Sequence, residues 1–186
     1  DRVAFSSARD DALRRDFTVN GMFYDPVSDR IIDYVNGQED LQNGVIRTIG
    51  DPVERFGEDY LRMLRAVRFG CRLQWKIDGA TRNAIKKLSH YVIQVSAERI
   101  RDEVVKILTE GGAPLGVRWL VDLELMKHML PEVAAISGVP QPAEFHPEGD
   151  VLTHTILMLS LMREPSPELA MGVLLHDVGK SRTLQF

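Results

Sequence analysis

The spacing of apolar positions changes character near residue 58. Before that point, β-prone aromatic and branched residues come in short groups, Phe17-Thr18-Val19, Met22-Phe23-Tyr24 and Ile31-Ile32-Asp33-Tyr34-Val35. The last group predicts a short strand, while residues 9–15 read as helix. Asn36-Gly37 and Asn43-Gly44 are turn signals. After residue 58, Leu61, Leu64, Val67 and Cys71 fall on one face at helical spacing, and Ile100, Val104, Ile107 and Leu108 repeat the pattern. Gly111-Gly112 with Pro114 stops that second helix, and a further helix over 115–129 ends at Pro131. Gly138, Pro140, Pro142, Pro147 and Gly149 make 137–150 a linker. Two apolar helices follow it, 152–162 and 167 to about 178, the second with Ser166 as N-cap and Pro167 at its first position. There is no internal repeat. The pattern predicts a mainly α chain: a fragmentary α/β start over about 50 residues, then an all-helical remainder.

Composition narrows the class. With 186 residues, 44 % hydrophobic, 27 % charged and one cysteine, the chain is neither disordered nor a disulfide scaffold. No apolar run approaches the roughly 18 to 20 residues that span a bilayer, and no signal-peptide pattern opens the chain, so a cytoplasmic protein with no membrane contact is expected. The net charge of −4 argues against nucleic acid only until it is placed along the chain. Residues 1–60 carry −6, residues 61–110 carry +6 and residues 111–186 carry −4. Because the Debye length is about 8 Å at physiological salt, a polyanion meets the basic middle rather than the average.

Within that middle, Asp59, Arg62, Arg65 and Arg68 recur every third position and share a helical face. As a plain surface this is an exposed ion pair flanked by solvated arginines, worth a few tenths of a kcal/mol. In-line arginines repel one another unless an anion sits among them, which favours an anion site. Asp59 and Arg62 also form a pair of definite polarity, since a carboxylate only accepts hydrogen bonds and a guanidinium only donates them. Cytosine and adenine each present an amino donor beside a ring-nitrogen acceptor, and uracil and guanine present the reverse. A fixed Asp/Arg pair would accept C and A and reject U and G, at about 1 to 3 kcal/mol per mismatched pair.

Several stretches then resemble one family. Arg14-Arg15-Asp16-Phe17-Thr18-Val19-Asn20, Asp33 with Gly37, Asp40-Leu41, Ile46-Arg47, Glu58-Asp59-x-x-Arg62-x-Leu64-Arg65-Ala66-x-Arg68-Phe69 and Ser96-Ala97-Glu98-Arg99-Ile100 are similar to class II CCA-adding tRNA nucleotidyltransferases and bacterial poly(A) polymerases. The resemblance runs from about residue 1 to 136. It implies the end of an α/β nucleotidyltransferase head over 1–50, a helical neck and RNA-binding region over 51–136, and a linker leading into an all-α HD domain over 137–186. It implies an enzyme that adds CMP and AMP to tRNA 3′ ends from CTP and ATP, with tRNA as partner. Arg15, Asp16 and Asn20 would contact the nucleotide, Asp59 and Arg62 would read its base, and Arg65 and Arg68 would reach it from the next turns. The stretch 33–47 would be a flexible connection, and Glu98 with Arg99 would hold the base-reading helix by an ion pair.

The family's head also carries a Gly-rich motif and an Asp-x-Asp pair that holds Mg2+ for phosphoryl transfer. Neither stands in this sequence, so the chain is expected to be a segment without catalytic carboxylates of its own, inactive alone. In the tail, His154 and the run Leu174-Leu175-His176-Asp177-Val178-Gly179-Lys180 resemble the HD superfamily of metal-dependent phosphohydrolases. His154, His176 and Asp177 would bind a divalent transition metal, converging from two helices. His146 lies in the linker and is the weaker ligand candidate. The alternatives are a poly(A) polymerase using the same Asp/Arg pair for adenine alone, and an HD-type phosphohydrolase as the main activity. Cys71, Trp75 and Trp119 read as packing residues.

Overall fold

The structure, a computed structural model, describes residues 7–142 and 144–183. Helix α1 (Ala8–Arg14) starts at a capping box, with the Ser7 hydroxyl accepting from Asp10 N and the Asp10 carboxylate accepting from Ser7 N. A 3₁₀ turn, Thr18–Asn20, leads to a hairpin of β1 (Met22–Asp25) and β2 (Arg30–Asp33), antiparallel with Met22 opposite Asp33. Next come α2 (Gly37–Asn43) and β3 (Val45–Ile46), which pairs in parallel with β4 (Lys76–Ile77) across α3 (Pro52–Glu58) and α4 (Leu61–Leu73). The remainder is helical: α5 (Gly79–Leu88), a 3₁₀ segment Ser89–Gln94, α6 (Ala97–Thr109), α7 (Ala113–Asp122), α8 (Leu125–Met129), α9 (Pro131–Ala134), α10 (Val151–Leu161), α11 (Pro167–Leu175) and α12 (Lys180–Thr183).

Helix α4 is the axis of the core. Its Leu61, Leu64, Val67 and Cys71, the face read from the sequence, are buried together with Met63 and Ala66, and α4 packs on α6 and α7. Burying one such side chain is worth about 1.5 to 3 kcal/mol. Glycine is needed at places where the end of α4 meets its neighbours. A Cβ on Gly112, which has φ of 81°, would lie 2.1 Å from the Cys71 carbonyl oxygen, and one on Gly70 would lie 2.6 Å from the Trp119 ring. The turn after α6 is therefore pressed against the end of α4. Helices α10 and α11 pack on α7 and α6, and Val151, Leu152, Ile156 and Leu174 join the same buried cluster as Val104, Ile107 and Leu120.

One expectation needs correction. The single helix expected over 115–129 is two, because Leu123 turns inward, 1 % exposed, and Glu124 adopts a left-handed φ of 63°. The stretch 33–47, expected to be flexible, is tightly bonded. Asp33 accepts hydrogen bonds from the amides of Val35, Gly37 and Gln38, which hold its carboxyl below the usual range against the cost of burial. Buried Asp40 accepts from Thr18 Oγ1 at 2.7 Å and Arg47 Nε at 3.0 Å, and Arg47 Nη1 reaches Asp78 at 2.6 Å. The Asn-Gly signals mark the ends of α2, where Asn36 and Gly44 take left-handed conformations. Ser166 and Pro167 start α11 as expected.

Candidate functional site

A cavity of about 560 Å³ opens where the first residues of the chain meet α4. Arg14, Arg15, Asp16 and Asn20 form one wall, Asp59, Leu61, Arg62 and Arg65 the other, and Arg99 reaches in from α6. Five arginines against two aspartates make its field positive, suited to a polyphosphate.

Each wall is held by side chains far apart in sequence. Asp16 is buried, and its carboxylate accepts from Phe17 N at 2.9 Å, Asn20 Nδ2 at 3.2 Å and Arg65 Nε at 2.7 Å, fastening the first wall to α4. Arg15 donates to the Asn20 carbonyl at 2.8 Å, pairs with Asp11 at 3.0 Å and lies over the Phe23 ring. On the other wall, Asp59 ends α3 just before α4 begins. Its Oδ1 accepts from Leu61 N at 3.0 Å and its Oδ2 pairs with Arg99 Nη2 at 2.7 Å. Partial burial, the largest single influence, acts to raise the Asp59 pKa, but the Arg99 bond, the Leu61 amide and the charges of Arg99 and Arg62 together outweigh it, leaving the carboxyl below its ordinary value. Arg62 Nη1 donates to the Arg55 carbonyl at 2.8 Å and to Glu58 at 2.6 Å, and Arg55 holds the same Glu58 and the Arg15 carbonyl. Tyr60, between the pair, stacks on Tyr91 with ring centroids 5.0 Å apart.

The structure thus brings Arg15, Asp16, Asn20, Asp59, Arg62 and Arg65 to one cavity and leaves Arg68 out. Arg68 is buried behind α4, its Nε 2.9 Å from Glu103 Oε2 in α6, because the three-residue period drifts round the helix toward the core. The repulsion argued for the arginine row is also absent: Arg62, Arg65 and Arg68 each face their own carboxylate, on Glu58, Asp16 and Glu103. Arg99, expected with Glu98 to hold the base-reading helix, pairs with Asp59 just before that helix and lines the cavity as well. The roles of Glu58 and Arg55 are set by tertiary contacts, although Glu58 beside Asp59 was visible in the motif.

A second cluster lies in the tail. His154, His176 and Asp177 place ligand atoms within 4.8 Å of one another, as do His146, Glu148 and His154. Glu148 Oε1 meets His154 Nδ1 at 2.5 Å and His146 Nδ1 at 3.2 Å, and Glu148 is drawn down to about 2 by its own backbone N–H first and then by these imidazoles. His146, ranked below the others from its position in the linker, therefore belongs to the cluster. Its spacing from Glu148 and His154 around the Asp150 cap is the signal in the sequence. His154, His176 and Asp177 form a donor set suited to a divalent transition metal. One geometric detail bears on fit: His176 Nδ1 faces the Val173 carbonyl at 2.7 Å and so carries the proton, which turns the Nε2 lone pair toward Asp177 Oδ2 at 3.1 Å. Two acceptors at that distance call for a cation between them or a second proton on the ring, and Lys180 Nζ, 2.7 Å from the same oxygen, supplies part of that charge.

Comparison with known proteins now decides the family. Residues 1–47 match the model described as "Poly A polymerase head domain", and residues 75–137 match "Probable RNA and SrmB- binding site of polymerase A". The CCA-adding enzyme of Ligilactobacillus salivarius (strain UCC118) is 46 % identical over 129 residues, which is 69 % of this chain and 32 % of that protein. The chain belongs to the poly(A) polymerase and CCA-adding enzyme family. A crystal structure of the Bacillus stearothermophilus CCA-adding enzyme in complex with CTP matches 94 % of the chain and 40 % of its own length, at 28 % identity and a TM-score of 0.75. The Thermotoga maritima CCA-adding enzyme complexed with tRNA matches 96 % and 45 %, at 25 % identity and a TM-score of 0.62. The chain therefore spans less than half the length of these relatives. Its mainly helical fold after a head fragment is the family's, as expected. Among the described residues, no helix is long and apolar enough to cross a membrane.

Proposed function

We propose that the cavity binds the incoming nucleotide of a template-independent RNA nucleotidyltransferase that adds CMP and AMP to tRNA 3′ ends, with CTP, ATP and tRNA as its ligands. The observation that carries this is that Asp59 and Arg62 line one arginine-rich cavity, each with hydrogen-bonding capacity to spare. Each oxygen of Asp59 has one protein partner, and the bonds named for Arg62 all leave from Nη1. A carboxylate has about four acceptor sites and a guanidinium five donors, so the pair retains a face for the Watson–Crick edge of C or A. Arg15, Asn20 and Arg65 flank the sugar and phosphates, and Asp16 positions Arg65. Mg2+ would supply charge neutralisation at the triphosphate. It is not assigned to Asp16 or Asp59, whose oxygens face arginines and backbone amides.

In this reading residues 1–50 end the head, 51–136 form the neck and RNA-binding region, and 137–186 begin an HD domain. The test offers the full-length protein a tRNA ending before CCA and each nucleoside triphosphate in turn. Incorporation of CMP and AMP but not UMP or GMP is expected, and Asp59→Ala is expected to lower that discrimination about 10- to 100-fold, the equivalent of about 1 to 3 kcal/mol. Unchanged selection in Asp59→Ala sinks the base-reading role. AMP incorporation without CMP assigns the chain to an A-adding enzyme or a poly(A) polymerase instead.

A second reading rests on the convergence of His154, His176 and Asp177. This centre would hold a divalent transition metal, which when bound supplies an activated water for phosphate-ester hydrolysis. Hydrolysis of a 2′,3′-cyclic phosphate with manganese, cobalt or nickel, lost in His176→Ala, supports it. No hydrolysis with any of these ions removes it.

A further inference from the structure

We propose that Glu148 is the outer carboxylate that makes His154 a metal ligand, a positioning residue for the tail centre; the inference rests on the metal-site reading above. The partner of each Nδ1 decides which ring nitrogen carries the proton. Glu148 Oε1, an acceptor only, meets His154 Nδ1 at 2.5 Å, so that nitrogen donates and, in the neutral ring that can bind a metal, Nε2 keeps its lone pair. His176 is set the same way by a different partner, its Nδ1 donating to the Val173 carbonyl at 2.7 Å. The two imidazoles, with centroids 5.6 Å apart, thus both offer Nε2 for coordination beside Asp177 Oδ2. A carboxylate on the far nitrogen of a liganding histidine fixes its tautomer and ring angle and raises its basicity.

The surroundings favour this role for Glu148 over one as a direct ligand. The same Oε1 also meets His146 Nδ1 at 3.2 Å, so two imidazoles already share it. His146 stands edge-on to the His154 ring, with centroids 4.8 Å apart, and gives the carboxylate a second partner. Asp150, two residues on, caps α10 by accepting from Thr153 N at 2.8 Å and also accepts from Gly138 N. That ties the loop carrying Glu148 to the helix carrying His154.

The test is a cobalt(II) titration of the full-length protein, followed by the visible absorption of the bound ion. Wild-type protein is expected to bind one cobalt at this centre, with binding lost in His176→Ala and Asp177→Ala. Glu148→Ala and the isosteric Glu148→Gln are expected to bind about 10- to 100-fold more weakly. At saturating cobalt, the absorption bands of both are expected at the wild-type positions, because the ligand set is intact. Glu148 variants that bind as tightly as wild type overturn the inference while leaving the centre standing. Shifted bands at saturation overturn it too, by making Glu148 a ligand. Wild-type protein that binds no cobalt removes the centre and the inference together.

Discussion

Arg68 of α4 and Glu103 of α6 form a buried ion pair, Nε to Oε2 at 2.9 Å, with side chains only 10 % and 5 % exposed. Lys106 and Glu110 stand at its edge, 3.7 Å from Glu103 and 3.5 Å from Arg68. The pair joins the helix that lines the cavity to the helix that supplies Arg99. Removing Arg68 leaves Glu103 buried with only Lys106, at 3.7 Å, to offset its charge. Arg68→Ala is expected to cost about 3 to 5 kcal/mol in urea denaturation, whereas Arg68→Met combined with Glu103→Leu recovers most of that loss.

Asp59 couples the cavity to acid stability. Its pKa is lowered in the folded state, so in the unfolded state the carboxyl binds a proton first as pH falls. Its stabilising contribution is present above the unfolded value of about 4 and is lost as pH drops through the lower folded value. Asp59→Asn is expected to remove that component, so the stability difference between wild type and variant shrinks as pH falls below about 4. Denaturation midpoints measured between neutral pH and about pH 3 check this.

Gly112 tests the close approach of α6 and α4. With φ of 81° and the Cys71 carbonyl oxygen 2.1 Å from where a Cβ would sit, Gly112→Ala combines backbone strain with a clash against main chain. A loss of about 3 kcal/mol is expected, read as a lowered midpoint in thermal denaturation. Gly57→Ala is the control, since nothing stands within 4 Å of its Cβ position.

Cys71 should be chemically silent in the folded protein. It is fully buried, and burial pushes its thiol up to about 11, so little thiolate exists at neutral pH. An aromatic disulfide reagent is expected to react with it only after denaturant unfolds the chain. Rapid reaction in the native state would place the end of α4 outside the core.

The cavity's polar members were largely legible in the sequence because each sits in a short motif whose chemistry is local. Arg15, Asp16 and Asn20 follow α1, and Asp59 and Arg62 bracket the start of α4. Arg68 was misjudged because a three-residue spacing drifts away from the 3.6-residue period, carrying the last arginine of the row into the core. The bonding of the stretch 33–47 was not legible, because Asp40 and Arg47 find partners, Thr18 and Asp78, that are remote along the chain.

The sequence by itself determined the helical period after residue 58, the caps at Ser166 and Pro167, and the family resemblance, because these depend on residues within a turn or two of one another. The tertiary structure decided which charge neutralises which. Arg65 found Asp16, Asp59 found Arg99, and Glu148 found both His146 and His154. Helix packing sets those pairings, and a guanidinium or imidazole takes its role from the carboxylate that packing brings within about 3 Å.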